Sequence, residues 1–415
     1  MKKILLTSII TLLLLGANLF AERYTLDQLI EIGLSKSYDI QEAKVANKNY
    51  NSNLRSSLYG ILPTATISTS SSENLDAANP DWYDTAGLSL SKTIALNEPT
   101  YFNIHSSILD MNNAEHSLDE TKKQIAYKVF SKYLDVLKSQ ETLQIQRKNL
   151  ELQQKIHQQI QVQFDAGDKS LLELKQSEVS LIDYEILVNE ASNSLSKIRK
   201  GLFSYLNIED EKLDFVEPEL TISLQNNPFQ TNNVLEQKKN FLKNSSLSLI
   251  QSGLGILPSI TCAYSFAHND NGDINTFSDY LRTNNSLSLS VTWDIFGIPN
   301  SFESFFKKKR NHKLMKLDLD ISKRNYMIQL ENLKNDMATY SRSYELYTEK
   351  LTLAEENLNM AQEQFKLGMI SLLDLDRSKI DFQNAQLSHI NSHYNLMKKH
   401  EEINLLLSEP ILGKW

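Results

Sequence analysis

At 415 residues the chain is long enough for two or three ordinary domains, yet only 12 glycines and 8 prolines punctuate it, so long uninterrupted elements are expected. A net charge of −8 is mild and argues only weakly against a general nucleic-acid binder, since local basic patches can still exist. Cys262 is the one cysteine, which excludes an intramolecular disulfide and leaves packing or oligomerisation to stabilise the chain.

Residues 1–21 read as an export signal. Lys2 and Lys3 precede the apolar run from Ile4 to Leu15, and the small residue Ala21 stands before Glu22. The run is short for a transmembrane helix. Leu19 stands where a small residue is usual, which blurs the cleavage point, but a mature chain beginning near Glu22 and located outside the cytoplasm is expected. A first structural repeat then covers residues 22–212. Thr25 can cap a helix over about 25–58, which ILP at 61–63 stops because the residue before proline avoids the α region. The period changes there. Residues 64–72 and 86–94 are β-compatible and form a hairpin, 64–94, around a polar loop carrying Trp82 and Tyr83. A helix over 101–165 follows, with Met111, Leu118 and Ile125, then Val129, Val136, Leu143 and Leu150, spaced by seven, a coiled-coil seam. Such a helix is about 96 Å long, more than any compact core. A return helix spans 170–206.

The second repeat, 213–415, follows the proline-containing connector 207–230 and has the same plan. A helix at 231–252 leads to ILPSI at 256–260, then a hairpin, 258–294, with cleaner alternation. Ile260, Cys262, Tyr264 and Phe266, and likewise Leu287, Leu289, Val291 and Trp293, alternate with small or hydroxyl residues. One apolar face and one hydroxyl face suit a barrel wall with lipid outside and water inside, and Cys262 reads as a buried or lipid-facing position before a functional thiol. The helix 302–366 carries the strongest period. Leu330, Met337, Tyr344, Leu351, Leu358 and Phe365 are spaced by seven, and Leu333, Tyr340, Tyr347, Ala354 and Ala361 follow three residues behind. A return helix, 371–407, ends near SEPILGKW.

The clearest duplication is QFDAGDKSLLELK at 163–175 against QFKLGMISLLDLD at 364–376, without a gap at an offset of 201 residues. Gly167 and Gly368 can leave a helix through a positive φ, and Ser170 and Ser371 can cap the next one. Each copy is therefore the tip of a helical hairpin. The predicted fold class is mainly α with a transmembrane β-barrel. Four strands cannot close a barrel, and open edges are not tolerated in lipid, so the chain must oligomerise.

The chain resembles the TolC-type outer-membrane efflux proteins, through LDQLIEIGLSKSYDIQEAK, LYGILPTATIS, FDAGDKSLLEL, LGILPSIT, SVTWDIF and FKLGMISLLDL in this order. The resemblance implies a homotrimer with a 12-stranded barrel continued by a helical tunnel. It implies an outer membrane of a Gram-negative bacterium with helices projecting into the periplasm. It also implies a passive exit duct for tripartite efflux or type I secretion, coupled through a periplasmic adaptor to an inner-membrane pump of the RND or ABC type. On the same ground, Asp374 and Glu173 are gate candidates, although a carboxylate there also suits a helix start. Gly167, Ser170, Leu171, Gly368, Ser371 and Leu372 are candidates for adaptor docking. SVTWDIFGIPN lacks the Pro and double Gly often seen around this strand exit in the family, and two features of the second tip are missing as well. Ile370 stands where a basic residue is often found, and Arg377 where a second aspartate is.

His389 and His393 lie one helical turn apart, a spacing that can hold a metal, but a solvated helix face is the expectation. Lys307–Arg310 is a basic run soon after the last strand; it can meet lipid head groups or simply open a solvated helix. No phosphate-cradling GxxxxGK[ST], zinc cluster or GxSxG elbow occurs, so no enzyme, cofactor or metal is expected. A soluble periplasmic coiled-coil adaptor or scaffold is the alternative; it explains the heptads but not four strands at matched positions.

Overall fold

The structure is a computed structural model of the chain. It describes residues 25–73, 82–94, 96–209, 215–218, 232–270 and 285–415; the expected export signal and most of the connector lie outside them.

The element order is α1 (Leu26–Lys36), α2 (Tyr38–Tyr59), β1 (Thr64–Glu73), β2 (Trp82–Ile94), α3 (Pro99–Asp165), α4 (Leu171–Leu206), α5 (Asn233–Leu254), β3 (Ser259–Asp270), β4 (Asn285–Thr292), α6 (Ile298–Lys366) and α7 (Leu372–Leu406). A 3-10 turn, Ile411–Gly413, follows. The chain packs into two compact units, each drawing on both halves of the sequence. Of the described residues, the first takes 25–41, 120–209, 215–218 and 327–415, and the second 42–73, 82–94, 96–119, 232–270 and 285–326.

The second unit holds the sheet. All four strands form one antiparallel sheet in the order β1-β2-β3-β4, so the two hairpins pair through β2 and β3. Residues opposite one another across antiparallel strands share a face. The pairs Ile67↔Leu88, Leu90↔Tyr264, Ile260↔Val291, Cys262↔Leu289 and Tyr264↔Leu287 therefore build one largely apolar face, which Lys92, opposite Cys262, shares while its ammonium donates to Gly60 O at 2.7 Å. Thr66↔Ser89, Ser91↔Ala263, Thr261↔Ser290 and Ala263↔Ser288 build the other, of hydroxyls and small side chains. The apolar face lies open: Ile67 is 85% exposed, Leu287 74% and Leu289 73%. Among the described residues no helix is long and apolar enough to cross a membrane. The helices of this unit are joined by side-chain amides and ions. Asn240 Nδ2 donates to Asn113 Oδ1 at 2.9 Å, Asn233 Nδ2 to Asp119 Oδ2 at 2.8 Å, and Lys238 Nζ to Asp318 at 2.8 Å.

In the first unit the helical seams are buried in part, with Tyr344 and Leu351 half-buried and Tyr347 of the second α6 row 36% exposed. Leu330, Met337, Leu358 and Phe365 of α6, and Ile125, Val129 and Val136 of α3, are each under a tenth exposed. α1 packs closely: a Cβ on Gly33 would stand 2.9 Å from Val129 Cγ2 and 3.2 Å from Leu206 Cδ2. Close approach explains a glycine inside a helix, where it otherwise weakens the element. The return helices end alike. Asn207 (φ 52°) and Ser408 (φ 53°) take the left-handed conformation, 201 residues apart like the tips. Ile208 and Glu409 then return amides to Phe203 and Asn404, the hydrogen bond of a Schellman motif.

Three expectations are corrected. The helix over 25–58 is two helices, because Ser37 is extended (φ −62°, ψ 129°) while its amide still bonds Gly33 O and its carbonyl accepts from Gln41 N. Trp82 and Tyr83 belong to β2 and not to the loop, since pairing continues to Glu73↔Trp82. His389 and His393 sit on a half-buried face rather than a fully solvated one. The Tyr344 ring covers both, at 5.2 and 5.3 Å between centroids, and His393 Nε2 meets Glu217 at 2.7 Å. No group of residues able to hold a metal occurs among the described residues.

The connector is fastened at 215–218. Val216 exchanges two hydrogen bonds with the buried Tyr133 hydroxyl, which donates to Val216 O at 2.6 Å and accepts from Val216 N at 3.0 Å. The Phe215 ring meets Tyr133 and Phe203 edge-on, under the Arg199 guanidinium.

Candidate functional site at the helical tips

Both tips lie in the first unit and have the same backbone chemistry. Gly167 has φ +88° and Gly368 φ +69°, and a Cβ at either would meet nothing within 4 Å, so conformation rather than space selects glycine. Asp168 N reaches back to Gln163 O and Met369 N to Gln364 O, both at 2.8 Å, closing two Schellman motifs. Two residues later the next helix is capped. Ser170 Oγ accepts from Glu173 N at 3.2 Å and Glu173 Oε2 accepts from Ser170 N at 2.9 Å. Ser371 and Asp374 repeat this at 3.2 and 3.3 Å. These are complete capping boxes.

Each candidate gate carboxylate is thus half of a cap, and each is held ionised. Hydrogen bonds from Lys169 and then the Ser170 backbone lower Glu173 to about 2, and Lys169 Nζ stands 2.9 Å from its carboxylate. Hydrogen bonds from the Ser371 hydroxyl and backbone hold Asp374 below the usual range, helped by nearby Arg377. Asp374 and Arg377 are both exposed.

The two tips share one core. Ile156 and Ile160 of α3, Leu174 of α4, Leu358 and Phe365 of α6, and Leu375 of α7 are buried together, with Phe164 and Ile370 packed against them. The position that lacks the basic residue is therefore an apolar packing position. Here the duplicated residues diverge: Leu372 is 3% exposed within this core, whereas its counterpart Leu171 is 59% exposed. Gly167, Ser170, Gly368 and Ser371 are exposed, and beside them lie exposed Leu172, Leu367, Met369 and Leu373. The sequence reading passed over these last four, although each falls outside the buried heptad positions.

Above the shared core lies a buried polar cluster, also missed. Lys379, 4% exposed, meets Gln153 Oε1, pairs with Asp376 at 2.5 Å and lies 5.6 Å from the centre of the Tyr184 ring. Gln153 Nε2 donates to Ser177 O at 3.2 Å, and His157 Nδ1 shares a 2.8 Å hydrogen bond with Ser177 Oγ. Burial pushes the Lys379 ammonium below the usual lysine range, against the pull of Asp376. A lone lysine inside a heptad gives no sign of burial in sequence, because two of its partners, Gln153 and Tyr184, come from α3 and α4.

The fold, with its four-stranded antiparallel sheet and its long helical hairpins, is similar to that of solved outer membrane channels. Residues 29–207 match the family described as outer membrane efflux protein. CusC, known from crystal structures concerned with folding and transmembrane channel formation, superposes with a TM-score of 0.82 at 13% identity, over 94% of this chain and 93% of that one. The CmeC outer membrane channel of Campylobacter jejuni gives 0.78 at 15% identity, over 94% and 87%. The MtrE outer membrane channel of Neisseria gonorrhoeae, in an open state, gives 0.78 at 13% identity, over 93% and 89%. No curated protein sequence matches.

Proposed function

We propose that the protein is an outer-membrane channel of a Gram-negative bacterium, a passive exit duct coupled through a periplasmic adaptor to an inner-membrane pump of the RND or ABC type. The observation that carries this reading is the sheet. Its strands of 8 to 13 residues have the length to cross a bilayer when tilted, and its apolar face is uncovered. Unpaired edges are not tolerated in hydrocarbon, so copies must complete the barrel, and three chains of four strands make the twelve expected of a trimer. A soluble adaptor or scaffold gains nothing from such a face.

In this reading the tips perform two tasks. Gly167, Ser170, Leu171, Gly368 and Ser371, with the exposed Leu172, Met369 and Leu373, present the surface for the adaptor. Leu372 supports that surface from beneath. Asp374, exposed and held ionised, repeats around the symmetry axis as a ring of carboxylates that favours cations, with Glu173 behind it. Conductance of detergent-purified protein in a planar bilayer, with its native mass, tests the reading. A trimer with small cation-biased currents, and a weaker cation preference in Asp374→Ala, is expected. A monomer that stays in solution without detergent and passes no current would overturn it.

A further inference from the structure

The basic run after the last strand is required by nothing derived so far. Residues 304–317 hold Lys307, Lys308, Lys309, Arg310, Lys313 and Lys316 with no aspartate or glutamate. All six are exposed, and none forms an ion pair among the described residues. The duplication provides an internal comparison. At the same offset of 201 residues, the first-half stretch 106–115 carries Asp110 and Glu115 and no lysine or arginine. Both stretches lie on unbroken helices of nearly equal length, 67 and 69 residues, so the helix does not need the cations.

Their placement indicates a partner. α6 begins six residues after β4 ends, and the intervening turn holds Trp293, 55% exposed, and Phe296, 97% exposed. The Trp293 indole N–H donates to Ile256 O at 3.1 Å, which fixes the ring at the end of the sheet. On α6, Phe302, Phe306, Lys309, Lys313 and Lys316 follow one another at spacings of four and three and so share a stripe, aromatic first and cationic after. Aromatic rings followed by cations is the order of a membrane interface read outward from hydrocarbon. The run Lys307–Arg310 starts about 14 Å along the helix from its first residue, within the reach of a lysine side chain and one Debye length of a head-group layer. Four consecutive helical residues point about 100° apart, so no single neighbouring helix can cover them all.

We propose that Lys307–Arg310 binds the phosphates of anionic phospholipids in the leaflet at the helical end of the sheet. The guanidinium supplies paired donors, and the three ammonium groups supply mobile point charges. The proposal rests on the membrane reading of the sheet.

The test uses the full chain in phosphatidylcholine bilayers. Tryptophan quenching by chain-brominated phosphatidylglycerol is compared with that by equally brominated phosphatidylcholine at the same mole fraction. The wild type should prefer phosphatidylglycerol by about tenfold, and Lys307→Gln/Lys308→Gln/Lys309→Gln/Arg310→Gln should reduce this to about twofold or less. Lys313→Gln/Lys316→Gln, farther from the sheet, should reduce it less. Raised salt should weaken the wild-type preference whether or not the fourfold variant folds. Equal quenching in the wild type, or an unchanged preference in a folded fourfold variant, overturns the proposal. So does loss of the preference on adding orthophosphate at constant ionic strength, which would mark a free-anion site. If neither lipid quenches the folded protein, the sheet is not in the bilayer, and the channel reading fails with the proposal.

Discussion

At the tips single residues fix the turn and also set its response to acid. Three donors converge on Glu173, from Lys169, the Ser170 amide and the Ser170 hydroxyl, and they lower it to about 2 from an ordinary 4.5. A carboxylate depressed on folding stabilises above its unfolded value and loses that contribution as pH falls through its folded one. The protection of the amides of residues 171–174, taken as the exchange rate relative to the intrinsic rate at each pH, should therefore fall as pH drops from about 4.5 towards 2. In Glu173→Gln, which keeps an acceptor but no charge, that dependence should vanish; a flat wild-type profile would refute the assignment. Lys379 gives a second prediction. Lys379→Met leaves Asp376 and Gln153 facing an apolar group, and should lower unfolding free energy by about 3 kcal/mol in chemical denaturation. Lys379→Met/Asp376→Leu should recover most of that loss, because both charges then leave the interior together.

Elements depend on contacts that no local pattern reveals, and the fastened connector shows this. Tyr133→Phe removes the one hydroxyl that satisfies both the amide and the carbonyl of Val216, so a loss of about 2 kcal/mol is expected from denaturant melts. No loss would mean that water replaces the hydroxyl on both sides. Long elements were legible in the sequence for a physical reason. A seam such as Leu330–Met337–Leu358–Phe365 repeats every seven residues, and Gly167 and Gly368 end their helices by backbone geometry alone. What escaped depends on neighbours distant in sequence. Trp82 is a strand residue because Glu73 pairs with it, and the alternation weak in β1 becomes clear only when Ile67 is placed opposite Leu88. His389 and His393 looked solvated because Tyr344, which covers them, lies on another helix. At the tips, cap and glycine were readable, whereas the unequal fates of Leu171 and Leu372 were not, since the duplicated segments share one core with only one inside at that position.

For the whole molecule, the two sheet faces make opposite demands on substitution. Leu289→Lys, on the open apolar face, should reduce assembled, bilayer-inserted protein by an amount matching about 2–4 kcal/mol near mid-membrane. Ser288→Lys, one residue away on the hydroxyl face, should assemble normally and shift conductance towards anions. Equal effects of the two would show that the faces are not distinguished by lipid and water. The interleaving of the units governs a different property, the order in which the protein can be built. The first unit draws on residues 25–41, 120–209, 215–218 and 327–415, and Lys414 Nζ ties back to Asp27 at 2.6 Å. A chain threaded amino end first through an export pore cannot close that unit until its last helix has emerged. The early hairpin must meanwhile wait with Ile67 and Leu88 in water. Contacts so distant in sequence also form slowly. A chain exported in this way would depend on holding chaperones until then, and shortening it from either end should break the first unit while every residue of the second stays in place.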